Sequence, residues 1–103
     1  MGDYEITYIL KPSFTEAEWT ESRDYVNNWI KSHEGAVQKE DVWGLRPLAT
    51  ELEGERQGYY VILYFSLPEQ HVADFRFNLN IHDRMFRFML MKRIPEPVAK
   101  AAK

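Results

Sequence analysis

The sequence predicts an α+β domain in which a four-stranded antiparallel sheet carries two helices on one face, in the order β-α-β-β-α-β. The chain has 103 residues, which suits one domain with a single core. Aromatic and β-branched residues are concentrated in strand-length segments, whereas two stretches between them have helical spacing. The predicted strands cover residues 4–10, 36–52, 59–67 and 85–93.

The first strand, YEITYIL at residues 4–10, leads into the clearest helix signal in the chain. Thr15 and Glu18 form a capping-box pattern, in which the Thr15 hydroxyl accepts from the Glu18 amide and the Glu18 carboxylate accepts from the Thr15 amide. Apolar residues then recur at helical spacing, which predicts a helix over residues 15–33. Gly35 is expected to end it in a left-handed conformation.

The second strand contains the unusual stretch VWGLRPLA, in which Gly44 and Pro47 lie three residues apart. Glycine and proline both weaken a strand ladder, and proline has no amide to donate. We therefore predict an edge strand with a bulge at Gly44. The polar, glycine-bounded residues 53–58 are expected to form the turn that follows.

The third strand, YYVILYFSL, is apolar at nearly every position, which predicts a central strand. Pro68 suits the first turn of the second helix. The inner stripe of that helix is Val72, Phe75 and Leu79. The fourth strand, MFRFMLMKR, completes the order of elements that defines the ferredoxin-like arrangement. We predict one domain over residues 1–94, and a flexible tail over the Pro-, Ala- and Lys-rich residues 95–103.

Strand alternation predicts that the sheet face away from the helices is partly apolar. Its expected members are Glu5, Thr7, Ile9, Tyr60, Ile62, Tyr64, Arg87, Met89 and Met91. A solvated face should be mostly polar, so these apolar side chains indicate a docking surface for a protein. The residues assigned to that contact are Trp43, Tyr60, Ile62, Tyr64 and Met89. The alternative is an antiparallel sheet that simply leaves some apolar side chains in solvent.

The net charge is −3, so a contact with nucleic acid requires a local basic patch. Such residues occur on the edge strand and on or beside the last strand: Arg46, Arg84, Arg87, Lys92 and Arg93. Arginine forks pair with phosphates, and aromatic rings stack on unpaired bases. The candidates for stacking are Tyr4, Trp43 and Tyr60. The alternative is that these arginines are solvated or paired with carboxylates.

Several classes of function are disfavoured. The chain has no cysteine, which excludes disulfides and thiol catalysis, and no apolar run approaches the roughly 20 residues of a membrane span. We expect a soluble cytoplasmic protein with no membrane contact, cofactor or metal. His82 and Asp83 are adjacent on a turn, which rarely gives the geometry of a catalytic pair, and there is no phosphate-binding glycine loop. An enzyme of this fold, such as an acylphosphatase-like hydrolase, is therefore disfavoured.

Short motifs converge on one known family: the chain resembles the bacterial small-ribosomal-subunit protein six. The resemblance covers residues 4–93 without an evident gap. The matching pieces are Tyr4-Glu5, Leu10-x-Pro12, Gly35-Ala36-Val37, Trp43-Gly44-Leu45-Arg46-x-Leu48-Ala49, Gly58-Tyr59-Tyr60, and Arg87 with Lys92. Each piece is short, but their order and spacing make the match fairly specific.

This resemblance implies a structural, non-catalytic protein of the small ribosomal subunit in the cytoplasm. It implies two partners, ribosomal protein eighteen of that subunit and the central domain of the small-subunit rRNA. Carried over by position, the implied RNA contacts are Tyr4, Arg46, Arg87 and Lys92, and Arg84 is added for its proximity.

The chain also departs from the family pattern. Gly2 and Asp3 stand where the family commonly has basic residues, and Pro47 stands where a basic residue often follows the arginine. These changes remove positive charge where phosphate would be met. A second interpretation therefore stays open: a divergent or redesigned module of this fold that self-associates through its open sheet face and has no RNA role.

Overall fold

A computed structural model describes residues 2–52 and 54–93 of the chain, with side chains described outside 49–52. It confirms the predicted order of elements and the ferredoxin-like fold. The elements are β1 (Gly2–Leu10), α1 (Glu16–Ser32), β2 (Ala36–Leu52), β3 (Glu55–Leu67), a 3-10 turn (Glu69–His71), α2 (Val72–Asn80) and β4 (Met85–Arg93). The tail predicted over residues 95–103 lies outside the described residues.

The four strands form one antiparallel sheet in the order β2-β3-β1-β4. β3 is central and β2 is an edge strand, as their compositions predict. The predicted turn over residues 53–58 is too long, because β3 already begins at Glu55. Gln57 and Gly58 pair with Pro47 and Arg46 of β2, so cross-strand pairing overrides the turn-like composition of this segment.

The bulge predicted in β2 is present. The register between β2 and β3 shifts between Val42 and Gly44, where Gly44 has a φ of +78°. That conformation is nearly free for glycine and strained for other residues, which explains why the glycine interrupts a strand here.

The capping box at the start of α1 is also present. The Glu18 amide donates to the Thr15 hydroxyl at 3.2 Å, and the Thr15 amide donates to the Glu18 carboxylate at 2.8 Å. The predicted ending was wrong in one residue, because Glu34 and not Gly35 adopts a positive φ, of 69°. Gly35 is required for closeness instead: a Cβ there would lie 2.5 Å from the Ser66 carbonyl oxygen.

The core lies between the two helices and one face of the sheet. Its fully buried side chains include Ile6, Tyr8, Leu10, Val26, Ile30, Val61, Leu63, Phe65, Leu67, Phe75 and Leu79. Burying one such aliphatic or aromatic side chain contributes about 1.5–3 kcal/mol of transfer free energy. Both helices of residues 2–52 and 54–93 pack on the same side of the sheet, so within these residues the other face has no helix against it.

Candidate interaction surface

The open face of the sheet is built from rows of side chains that cross its four strands. The strand register pairs each member of a row with the next. Read from β2 to β4, the rows are Gly44-Tyr60-Ile9-Arg87, Asp41-Ile62-Thr7-Met89 and Lys39-Tyr64-Glu5-Met91. The face predicted from strand alternation is therefore the face that the register produces.

The open face exposes apolar side chains on β3 and on the edge strand β4, with Thr7 and Glu5 of β1 between them. Met89 is 59% exposed and Met91 is 46% exposed, while Ile62 and Tyr64 are half-buried. The core residues that contact the helices occupy the alternate positions of the same strands, so neither helix covers Tyr64 or Met89. An exposed patch of this kind is characteristic of a docking surface.

One apolar member of the face, Ile9, is only 8% exposed. It packs against Gly58 of β3, and a Cβ at Gly58 would clash with the Ile9 Cγ2 atom. The Leu48 side chain would lie 3.4 Å from the same Cβ. The hairpin of β2 and β3 thus shelters Ile9, so the exposed patch does not extend to it.

An aromatic cleft lies at the β2 end of the face. The Trp43 and Tyr60 rings are stacked with their centroids 6.5 Å apart, and the cleft is completed by Arg46 and Pro47. Arg46 donates from Nε to the Trp43 carbonyl oxygen at 3.1 Å, and its guanidinium lies 5.7 Å from the Trp43 ring centroid. Stacked aromatic rings beside an arginine form a surface on which an unpaired base can stack.

Tyr64 lies between two cations at the opposite end of the face. The Arg93 guanidinium is 4.9 Å from the Tyr64 ring centroid, and the Lys39 ammonium is 5.9 Å from it. Such cation–π contacts contribute roughly 0.5–1 kcal/mol at exposed sites. They hold positive charge over a ring that was assigned to a protein contact, so this end of the face is both apolar and basic.

The two predicted RNA contacts on β4 point in opposite directions. Arg87 is exposed and belongs to the open face, paired in register with Ile9. Lys92 pairs in register with the core residue Tyr4, and its ammonium forms an ion pair with Glu69 at 3.1 Å. The hydrogen bond to Glu69 raises the pKa of Lys92. The pair is exposed on both sides, so it holds Lys92 only weakly.

Arg84 lies at the helix layer and not with Arg87. Its guanidinium donates to the Glu21 carboxylate at 2.7 Å and to the Glu18 carbonyl oxygen at 3.2 Å, and it lies over the Phe14 ring. These contacts join the start of α1 to the segment before β4. Its charge is therefore already engaged within the chain.

Tyr4 lies in the core. It is only 6% exposed, and its ring is stacked on Phe65 with the centroids 5.8 Å apart. Side chains at even positions of β1 face the helices, which places Tyr4 on the opposite side from Arg87. We therefore leave Tyr4 out of the exposed candidate surface.

His82 makes a contact that the sequence did not reveal. His82 Nε2 lies 3.1 Å from the hydroxyl of the fully buried Ser22 in α1, and the His82 ring stacks on Tyr25. Burial, and next the charge of Arg84, lower the pKa of His82 below its ordinary value. This histidine thus joins α1 to the turn before β4 in its neutral form.

Within residues 2–52 and 54–93, no group of three or more histidine, aspartate or glutamate side chains is placed to hold a metal ion. In the same part of the chain, neither helix has the length and apolar character needed to cross a membrane.

Lys39 and Arg76 contribute to these surfaces although the sequence did not single them out, and Arg93 contributes although it was named only as part of the basic patch. Lys39 and Arg93 lie over Tyr64, and Arg76 lies on α2 beside β4. Arg76 follows Val72 by four residues, so helical spacing could have placed it beside the inner stripe of α2.

The chain is similar to proteins of a known family. The family described as "Ribosomal protein S6" matches residues 3–92. The small ribosomal subunit protein bS6 of Saccharopolyspora erythraea is 35% identical, covering 99% of this chain and 91% of that protein. The protein of the same name from Alkaliphilus metalliredigens is 33% identical, covering 89% and 97%. The crystal structure of 30S ribosomal protein S6 from Thermotoga maritima has the same fold, with a TM-score of 0.85 at 22% identity over 89% of this chain and 87% of that one.

Proposed function

Because this chain belongs to the ribosomal protein S6 family, we propose that it is a structural constituent of the small ribosomal subunit. In this role it binds small-subunit rRNA together with ribosomal protein eighteen of the same subunit. Its relatives are named as small ribosomal subunit proteins, which supports a place in the ribosome and a structural role without catalysis.

One observation carries this proposal: the open face exposes apolar side chains on β3 and β4 and has cations beside them. Met89 is 59% exposed, Arg87 lies in the neighbouring row, and Arg93 and Lys39 flank Tyr64. Exposed apolar side chains suit a protein partner, and the cations beside them suit phosphates. A small basic protein held against this face would supply the positive charge that a chain of net charge −3 lacks.

RNA contact is assigned to the border of the face. Arg46 and Trp43 offer a stacking surface with a cation beside it, and Arg87 offers an exposed guanidinium. Lys92 can join them when its exposed ion pair with Glu69 opens.

The test is binding of a transcript of the rRNA central domain to this chain mixed with ribosomal protein eighteen. Arg87→Ala should weaken binding about tenfold, because an arginine–phosphate contact is a charge-assisted hydrogen bond. It should also reduce the slope of log affinity against log salt by about 0.7–0.9, the value of one phosphate contact. Filter binding over a salt series gives both numbers.

A matched control is Lys31→Ala, which removes an exposed cation in the last turn of α1, away from the open sheet face. This variant should bind as the unaltered chain does. Failure of the unaltered pair to bind the transcript at low salt would contradict the proposed function, and equal binding by Arg87→Ala would remove Arg87 from it.

The exposed apolar side chains of the open face also favour a second candidate, self-association through the same face without an RNA role. Ile62 and Met89 flank Thr7 in one row and Tyr64 lies in the next row, so the three could pack against their counterparts in a second copy. Sedimentation of the isolated chain over a range of concentrations separates the two candidates when combined with the RNA measurement.

A further inference from the structure

A polar cleft follows the outer edge of β4, between this strand and α2. It is lined by Arg76, Leu79, Asn80, Met85, Phe86, Arg87 and Phe88. Arg76 and Asn80 are four residues apart on α2, so their side chains lie on the same side of the helix. Arg87 reaches the cleft from the strand, which brings cations from two elements to one edge.

Neither cation of this cleft forms an ion pair with another of the described residues. Arg23, Arg84 and Lys92 each form an ion pair with a glutamate, at 3.2, 2.7 and 3.1 Å. Arg76 and Arg87 are both exposed, and neither has an ion pair within the described part of the chain. In a protein with more acidic than basic residues, two unpaired arginines on one cleft are a local site of positive charge.

The other members of the cleft add groups that suit a nucleic acid. The Asn80 amide can donate to a phosphate or sugar oxygen, and β4 is an edge strand whose outer backbone groups are not used by the β1 ladder. Phe86 supplies an aromatic ring at the same place. Guanidinium forks with an amide and a free strand edge match the phosphodiester backbone more closely than they match an apolar peptide.

We propose that this cleft is a second RNA-backbone site, in which Arg76 of α2 and Arg87 of β4 hold the same phosphodiester segment. The inference rests on the proposed rRNA-binding function and extends it in one respect. RNA then contacts the helix layer at the β4 edge as well as the open face, and Arg76 becomes a binding residue.

The experiment uses the full chain mixed with ribosomal protein eighteen, and the rRNA central-domain transcript as probe. Arg76→Ala should weaken binding about tenfold and reduce the salt slope by about 0.7–0.9. Arg76→Lys keeps the charge but loses the fork, so it should keep the salt slope while losing part of the affinity. Lys31→Ala again serves as the control and should behave as the unaltered chain.

Two arginines on one phosphodiester segment should not act independently. The fold loss of affinity in the Arg76→Ala and Arg87→Ala double variant should be smaller than the product of the two single fold losses. Each single change already disturbs the shared contact. Thermal unfolding of each variant should match that of the unaltered chain, since both side chains are exposed.

The possible results are distinct. If the unaltered pair binds the transcript and Arg76→Ala binds equally well, the cleft inference is overturned and the proposed function stands. A weaker affinity of Arg76→Ala for ribosomal protein eighteen alone, with an unchanged RNA salt slope, would make the cleft a protein contact and also overturn the inference. If the unaltered pair binds no RNA, both proposals are overturned.

Discussion

At the scale of the residue, Tyr8 places a polar group in the core. Its side chain is fully buried, and its hydroxyl has no hydrogen-bond partner among the described residues. Burial raises the pKa of Tyr8 well above its ordinary value, so the hydroxyl stays neutral. A buried hydroxyl without a partner loses its hydration and recovers nothing from the fold.

Tyr8→Phe should therefore either leave the free energy of unfolding unchanged or raise it, by about 1–3 kcal/mol. The change removes the uncompensated hydroxyl and keeps the ring. Urea denaturation measures the change. Tyr25→Phe is the matched control: the Tyr25 hydroxyl donates to Asn78 at 3.2 Å, so its removal should cost a little stability. A clear loss of stability in Tyr8→Phe would mean that its hydroxyl has a partner, such as a buried water.

The sequence does not show which of the candidate cations are already paired within the chain. Arg84 and Lys92 have the same charge as Arg87, but their nearest carboxylates come from Glu21 and Glu69, which are distant in sequence. Only tertiary packing decides which cations are already paired. For the same reason, the sequence alone does not show that the Tyr4 side chain faces the helices and is buried.

At the scale of the element, the start of α1 is specified entirely by residues that are close together in the sequence. Thr15 and Glu18 satisfy each other's backbone amides, so the helix start needs no distant partner. The Thr15 amide, which donates to Glu18, lowers the pKa of that carboxyl below its ordinary value of 4.5. A carboxyl with a lowered pKa in the folded state stabilises the fold at pH values above its unfolded pKa.

The contribution of Glu18 should therefore be present at neutral pH and be lost as the pH falls through the folded pKa, below 4.5. Glu18→Gln should destabilise the chain at pH 7, and the difference from the unaltered chain should shrink on acidification. Thermal unfolding from pH 7 to pH 3 tests this. Glu16→Gln, in the same helical turn but outside the capping box, should show a smaller pH-dependent difference. Equal pH dependence in the two variants would contradict the capping account.

The predicted bounds of the strands and of α1 agree with the structure to within two residues, except that β3 begins at Glu55 and not at residue 59. The β2–β3 turn was predicted too long because Gln57 and Gly58 are polar or small, yet they pair with β2. The end of α1 was assigned to a left-handed Gly35, but glycine is required there because the nearby Ser66 carbonyl oxygen leaves no space for a Cβ. A close approach between two segments that are far apart in the sequence cannot be recognised from the residues of either segment alone.

At the scale of the whole molecule, the open face was predictable because strand alternation is regular. Knowing which residues of β1 face the helices fixes the opposite set for β1, β3 and β4 together. The α2–β4 cleft was not predictable in the same way, since it requires knowing how a helix lies beside a strand edge.

Ile62→Glu should separate folding from assembly. Ile62 is half-buried on the open face, so the free energy of unfolding should change by no more than about 1 kcal/mol. Binding to ribosomal protein eighteen, or to a second copy, should weaken at least tenfold, because a charge would enter the apolar centre of the contact. Calorimetric titration and urea denaturation provide the two measurements.

Val42→Glu is the control for this change. Val42 is a 39% exposed β-branched residue, and it is paired with the core residue Val61 on the helix side of the sheet. It should leave partner binding intact. Unfolding of the Ile62→Glu variant would show that the side chain belongs to the core, and unimpaired association would remove it from the contact.

The bare sheet face divides each of its strands between two constraints. Residues such as Ile6 and Val61 are constrained by the folding of this chain, whereas their neighbours Thr7 and Ile62 on the open face are constrained only by the proposed partner. Substitutions screened for solubility alone should therefore be tolerated at Thr7 and Ile62 but not at Ile6 and Val61. If the proposed partner covers the face, a screen for its binding should reject substitutions at all four positions.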